Sequence, residues 1–157
     1  MTIAPAIEQY LQANELPYEL VLHPRVPPKE RIRQYVPTVP NDQLAKSVLL
    51  EDDSGYVVAV LSATRRLDLG KLRHHLDRRI ELTLERDGDD LFCDCAPGTI
   101  PALASAYHIE TIVDDTLLQQ PEVYFESGDV EALIHMSGRN FRALMADLPH
   151  GQFTYRI

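Results

Sequence analysis

Apolar positions along this chain recur at two spacings, one helical and one alternating, and the change from one to the other marks out its elements. From Pro5 to Asn14, Ile7, Tyr10 and Leu11 share one face and Pro5 suits an opening turn, so a helix is predicted there. Tyr18-Glu19-Leu20-Val21-Leu22 alternates as a short strand, closed by His23-Pro24. Pro27 to Val36 reads as a second helix, with prolines at its start and Pro37 ending it. Pro40-Asn41-Asp42 then turns the chain into the strand that carries Lys46. Val48 to Asp52, the turn Asp53-Ser54-Gly55 and Tyr56 to Leu61 make a β-hairpin. Both arms are apolar along most of their length, which predicts a sheet covered on both faces.

Further on, Asp68 is placed to cap a helix running to about Leu76, with Leu69, Leu72 and Leu76 at helical spacing. Ile80 to Phe92 carries two signals: Glu81-Leu82-Thr83-Leu84 alternates, while Asp87-Gly88-Asp89-Asp90 suits a turn or a helix start. After a loop from Asp94 to Pro101, three apolar strands are predicted at Thr111–Val113, Glu122–Phe125 and Ala132–Met136. A last helix is expected from about Arg139 to Leu148, with Ser137 as its cap and Pro149-His150-Gly151 ending it. Strands and helices are mixed rather than strictly alternating, which favours an α+β fold over a doubly wound parallel sheet.

The 157 residues fit one domain spanning 1–157, and 45% apolar with 25% charged residues is a globular composition. No run is long and apolar enough to cross a membrane, so a cytoplasmic protein without a membrane partner is expected. Cys93 and Cys95, one residue apart, suit neither a disulfide nor a zinc site, and His74 and His75 are adjacent on a predicted helix. Two reduced thiols and no metal or cofactor are expected. A net charge of −9 argues against DNA or any nucleic acid held by general electrostatics, so an RNA contact would have to be local. The arginines do cluster, as Arg31 and Arg33, Arg65 and Arg66, and Arg73, Arg78 and Arg79, although a solvated face accounts for such groups equally.

Two features carry candidate chemistry. Lys46 is one of only three lysines and lies in Gln43-Leu44-Ala45-Lys46-Ser47-Val48-Leu49-Leu50, an otherwise buried-looking strand. An ammonium there loses solvation unless its head snorkels to water or meets an anion. The second feature is the loop Pro97-Gly98-Thr99-Ile100-Pro101, where Gly98 permits close backbone approach and Pro101 stiffens the far end. Amides held in such a loop can point at a carbonyl or its oxyanion, although most loops of this composition are plain turns.

The order of the Lys46 strand, Gly98-Thr99-Ile100-Pro101, Ile112-Val113-Asp114 and Val123-Tyr124-Phe125-Glu126-Ser127-Gly128 resembles the YbaK/prolyl-tRNA synthetase editing-domain family over nearly the whole chain. The resemblance implies a mixed, mostly antiparallel curved sheet flanked by helices. It also implies a metal-independent aminoacyl-tRNA deacylase whose partner is the acceptor end of aminoacyl-tRNA, with a synthetase as a further partner. Carried over, Lys46 would pair with the terminal phosphate, beside Ser47. The loop of Gly98, Thr99, Ile100 and Pro101 would surround the aminoacyl carbonyl and exclude bulky side chains. Arg65 and Arg66 are chosen for backbone contact with the acceptor stem, His135 for orienting water, and Glu126 and Asp129 as rim charges. The chain departs from the family where Ala104 replaces a glycine after the loop and Leu133 stands where relatives closest to cysteinyl-tRNA deacylases carry aspartate. Arg25-Val26-Pro27-Pro28-Lys29 also lacks the small polar residues usual there. Two functions follow: a trans-editing hydrolase that frees a small amino acid from mischarged tRNA, or an inactive module binding an aminoacyl or nucleotide ligand. A plain interaction domain, with Lys46 merely snorkelling, is a third.

Overall fold

The computed structural model describes residues 3–23, 39–83 and 85–157. The predicted helix from Pro27 to Val36, with Arg31, Arg33 and the segment at Arg25–Lys29, lies outside the described residues. Helix α1 (Pro5–Asn14) forms over its predicted span with Pro in its first turn, and buries Ile7 and Leu11 completely. After it come β1 (Glu19–Leu22) and the hairpin of β2 (Ala45–Asp52) and β3 (Gly55–Ser62), paired from Ala45↔Ser62 to Asp52↔Gly55. Gly55 closes the turn at φ 128°, a backbone angle open to glycine and strained for other residues.

The hairpin is covered on both faces, as its apolar arms predict. Ala45 and Leu49 of β2 and Val58 and Val60 of β3 join one core with α1. Val48, Leu50, Val57, Ala59 and Leu61, on the alternate positions, pack into a second. That second core is closed by Leu72 of α2 (Leu69–Leu76), whose cap Asp68 accepts the N–H of Lys71, and by Phe153.

Between Ile80 and Phe92 both signals are realised in succession. β5 (Glu81–Leu82) pairs with β2, and α3 (Glu85–Leu91) follows, so Asp87-Gly88-Asp89-Asp90 lies inside a helix rather than at its start. Gly88 leaves room for Cδ1 of Ile100, from which a Cβ at that position would stand 2.5 Å. Beyond come β6 (Glu110–Asp114), α4 (Asp115–Leu118), β7 (Glu122–Glu126), β8 (Ala132–Ser137) and α5 (Gly138–Leu144). Ser137 caps α5 as expected, accepting the N–H of Asn140. The helix stops at Leu144 rather than Leu148, and the chain continues through turns at Met145 and Ala146 into Pro149. Two further strands, β9 (His150–Gly151) and β10 (Thr154–Arg156), follow, and β10 pairs with β4 (Arg65–Leu67).

The strands run β5-β2-β3-β6-β9 in one sheet and β1-β8-β7 in another, with β4 and β10 as a separate ribbon. Pairing is antiparallel except at β3–β6 and β6–β9. A bridge between Leu44 and Tyr124 brings the start of β2 beside β7 and so joins the two larger sheets. The fold is α+β, with a mixed, mostly antiparallel sheet flanked by helices. No helix among the described residues is long and apolar enough to cross a membrane.

One ion cluster ties distant strands together. Arg78 grips both oxygens of Asp52 at 2.7 Å and reaches Glu110 at 2.8 Å, linking the end of β2 to the start of β6. The hydrogen bonds from Arg78 hold the Asp52 carboxyl at about 2, below its usual range. A carboxyl lowered in the folded state stabilises above its unfolded pKa, and that stabilisation is lost as pH falls through the folded value. Acid denaturation of the wild type is therefore expected to show an added loss of stability between about pH 4 and 2. Arg78→Ala should shrink that component and raise the Asp52 carboxyl, followed by NMR, toward the ordinary range, the Ser54 amide still holding it. Identical acid profiles for the two proteins would count against the clamp.

Candidate functional site

Strand geometry sets the direction of each candidate side chain. β2 pairs continuously with β3 over all eight residues, so its side chains alternate without a bulge. Lys46 therefore shares a face with Leu44 behind it and Val48 ahead. Leu44 belongs to a small apolar cluster with Val39, Ala63 and Leu133, flanked by Val21 and Tyr124, while Val48 packs on the second core. Lys46 sits between the two. Burial pushes its pKa down, and the Arg66 guanidinium pushes it further the same way. Among the described residues no carboxylate pairs with it. A half-buried ammonium beside a second cation is a place where an anion would be stabilised.

Ser47 points to the other face of β2, with Ala45 and Leu49. That is the face of the first core, which Ile100, Ala102 and Leu103 of the loop also join. The structure thus brings the loop together with Ser47 and sets Lys46 on the opposite face of the strand. Gly98 is exposed at φ 81°, and its N–H donates to Asp89 of α3 at 2.9 Å. The Thr99 N–H donates to the Ala96 carbonyl at 3.1 Å, and Thr99 and Pro101 are buried. Two of the amides expected to face a carbonyl are therefore engaged within the protein.

The loop is anchored at its root by residues that no local pattern marks. Asp94 accepts the Ala6 N–H at the start of α1 (3.0 Å) and the Tyr107 hydroxyl (2.5 Å). Cys95 lies 3.2 Å from the same hydroxyl, and the Ala96 N–H donates to Gly128 in the β7–β8 turn. Burial raises the Cys95 thiol to about 11 and, with the bond to Asp94, raises the Tyr107 phenol. Neither is disposed to ionise, so this junction positions the chain. Gly128 is required in the turn, since a Cβ would come within 2.6 Å of that of Ala4.

His135 stands on the same face of β8 as Leu133. Its Nδ1 bonds Glu19 of β1, its Nε2 lies 2.9 Å from Glu122 of β7, and its ring stacks on Tyr124 at 4.3 Å. Carboxylates only accept, so both bonds form together only when both ring nitrogens carry hydrogen. A water-orienting role would need one of those nitrogens released. Leu133 beside it is fully buried among the apolar residues of its cluster. Of the rim charges, Asp129 accepts the Glu131 N–H at 2.8 Å within the turn. The two arginines differ: Arg65 is occupied by Thr154, through Nε at 2.7 Å, whereas Arg66 is exposed beside Lys46.

Solved structures similar to the chain include a candidate trans-editing enzyme for prolyl-tRNA synthetase, 20% identical with a TM-score of 0.76, the match covering 98% of this chain and 99% of that one. The hypothetical protein APE2540 is 18% identical with a TM-score of 0.79, over 96% of this chain and 99% of that one. A candidate signal transduction protein from Marinobacter aquaeolei VT8 is 25% identical with a TM-score of 0.75 over 95% of this chain. This chain spans 30% of the length of that protein. These likenesses show the fold. No curated protein matches the sequence significantly. The model of the aminoacyl-tRNA editing domain family matches residues 29–144, a span that holds Lys46, the Gly98–Pro101 loop and β6 to β8. Since that span is well over half of the molecule, the chain belongs to the aminoacyl-tRNA editing domain family.

Proposed function

We propose that this protein is a trans-editing deacylase that hydrolyses the ester between a small mischarged amino acid and its tRNA. The observation that carries the reading is Lys46, a half-buried ammonium next to Arg66 with no carboxylate partner among the described residues. It suits one strong contact to a phosphate at the acceptor end. With the substrate fixed there, water attacks the ester carbonyl, the acyl C–O bond breaks, and the ribose oxygen leaves with a proton. Positioning supplies much of the rate, and no protein nucleophile is required. Membership of the editing-domain family supports the same reaction class.

A second reading, a module that binds an aminoacyl or nucleotide ligand without turnover, draws on the separation of Lys46 from the Gly98–Pro101 loop, which lie on opposite faces of β2, and on two further observations. The Gly98 amide is donated to Asp89, and Leu133 is buried among apolar neighbours where a polar contact would help the chemistry. Deacylation of a panel of mischarged tRNAs separates the two. Release of free amino acid above the buffer rate from at least one member is expected. Saturable binding with the ester intact would favour the module, and no hydrolysis on any substrate would overturn the enzyme.

A further inference from the structure

Strand β1 is the outer strand of the β1-β8-β7 sheet, and its free side is not defended as sheet edges usually are. The His23 N–H donates to the Glu131 carbonyl at 2.9 Å, in register with the neighbouring pair Leu22↔Ala132. Antiparallel ladders alternate, so His23, Val21 and Glu19 turn their backbone groups toward β8. The N–H and C=O groups of Leu20 and Leu22 therefore point outward, and no backbone bond engages them among the described residues. Their side chains are open as well, Leu20 by 43% and Leu22 by 65%. Both stand on the sheet face of Ile134, which is buried in the first core. Edges are normally blunted by charge, proline or a covering segment, whereas here the outward residues are leucines.

Outward amides flanked by open apolar side chains accept a further strand, and the strand that fits best is a second copy of β1. About a two-fold axis at Val21, antiparallel pairing sets Leu20 opposite the partner's Leu22 and Leu22 opposite the partner's Leu20. Each leucine then exchanges both backbone hydrogen bonds with the one it faces, and the leucines of the two copies cover one another on a single face. The same register places Glu19 across from the partner's His23, so no like charges are opposed. An axis at Leu20 would instead set Glu19 against the partner's Val21. We propose that the chain forms a symmetric dimer through β1, joining the two three-stranded sheets into one continuous sheet. The seam is a few residues per copy, far smaller than the roughly 1,600 Å² of a standard interface, so the dimer is weak and fills only at high protein concentration. The inference is independent of the deacylase reading.

The test is sedimentation velocity of the full chain from low-micromolar to sub-millimolar concentration. The mass of the wild type is expected to rise from that of one chain toward that of two. Leu22→Lys puts a cation on the outward edge of each copy, opposite a leucine, and should weaken association at least about tenfold. Because Leu22 is exposed, its thermal midpoint by circular dichroism should match the wild type at low concentration. A second variant reads the register. Facing residues of a non-hydrogen-bonded pair lie about 4.5 Å apart at Cα, within disulfide reach, so Val21→Cys should cross-link two copies under mild oxidation. That variant is made with Cys93→Ser, since Cys93 is an exposed thiol. Adding Leu22→Lys to it should suppress the cross-link. A wild type that keeps the mass of one chain throughout overturns the proposal and leaves the edge to a strand of another protein. Association undiminished by Leu22→Lys overturns it as well, and a dimer that Val21→Cys fails to cross-link overturns the axis at Val21.

Discussion

Lys46→Met is expected to lower deacylation about 30-fold or more, because losing one partner of a partly desolvated charge pair costs about 2–5 kcal/mol. The same substitution should leave the thermal midpoint unchanged or raise it by a few degrees. In the free protein Lys46 is half-buried, lacks a carboxylate partner among the described residues and is repelled by Arg66. An apolar side chain of similar length removes both penalties and covers the surface between Leu44 and Val48. The paired outcome separates the functions. A snorkelling lysine predicts neutral effects on activity and stability alike, whereas a substrate contact predicts activity lost with stability kept. Rates from single-turnover deacylation and midpoints from circular dichroism decide it; full activity in Lys46→Met would remove the lysine from the mechanism.

The largest expected effect on stability lies far from that lysine. A Cβ on Gly138, at the start of α5, would come within 1.9 Å of the Gln120 carbonyl oxygen, and the Gly138 N–H already donates to Pro121 at 2.7 Å. The obstructing atoms are all backbone of Gln120 and Pro121, so no rotamer change can relieve the clash. Gly138→Ala should destabilise by about 3–5 kcal/mol and lower the midpoint by roughly 10 °C or more. Gly70→Ala is the matched control. It is an exposed glycine in α2 whose added Cβ would meet only Asp68 Oδ1 at 3.5 Å, an ordinary contact. It should stabilise by about 0.4–1 kcal/mol, mostly by restricting the unfolded chain. A Gly138→Ala protein as stable as the wild type would mean that the 120–121 segment yields easily.

What could be read in the sequence was whatever a few consecutive residues decide. Asp68 and Ser137 announce their helices because a cap bonds an amide three residues away. The β2–β3 hairpin is equally local, its alternation and turn lying in one stretch. The β4–β10 ribbon escaped because three-residue strands carry no period. It is held by contacts such as Arg65 to Thr154, 89 residues apart. The site divides the same way. Lys46 stood out as a cation in an apolar run, but the nearness of the Arg66 guanidinium to it comes from packing between separate strands. His135 looked solitary, yet its partners come from strands 116 and 13 residues away. Which face of β2 the loop would share also depended on packing that no motif encodes.

The Asp94 junction has a consequence for how the molecule opens. One carboxylate holds the first turn of α1 and the Tyr107 hydroxyl, while the chain immediately after it bonds the β7–β8 turn, to which Ala4 is also attached. Helix α1 cannot swing outward without loosening the root of the glycine loop. Fluctuation at the start of the chain and fluctuation of that loop therefore belong to one cooperative unit, with a shared opening free energy rather than two independent ones.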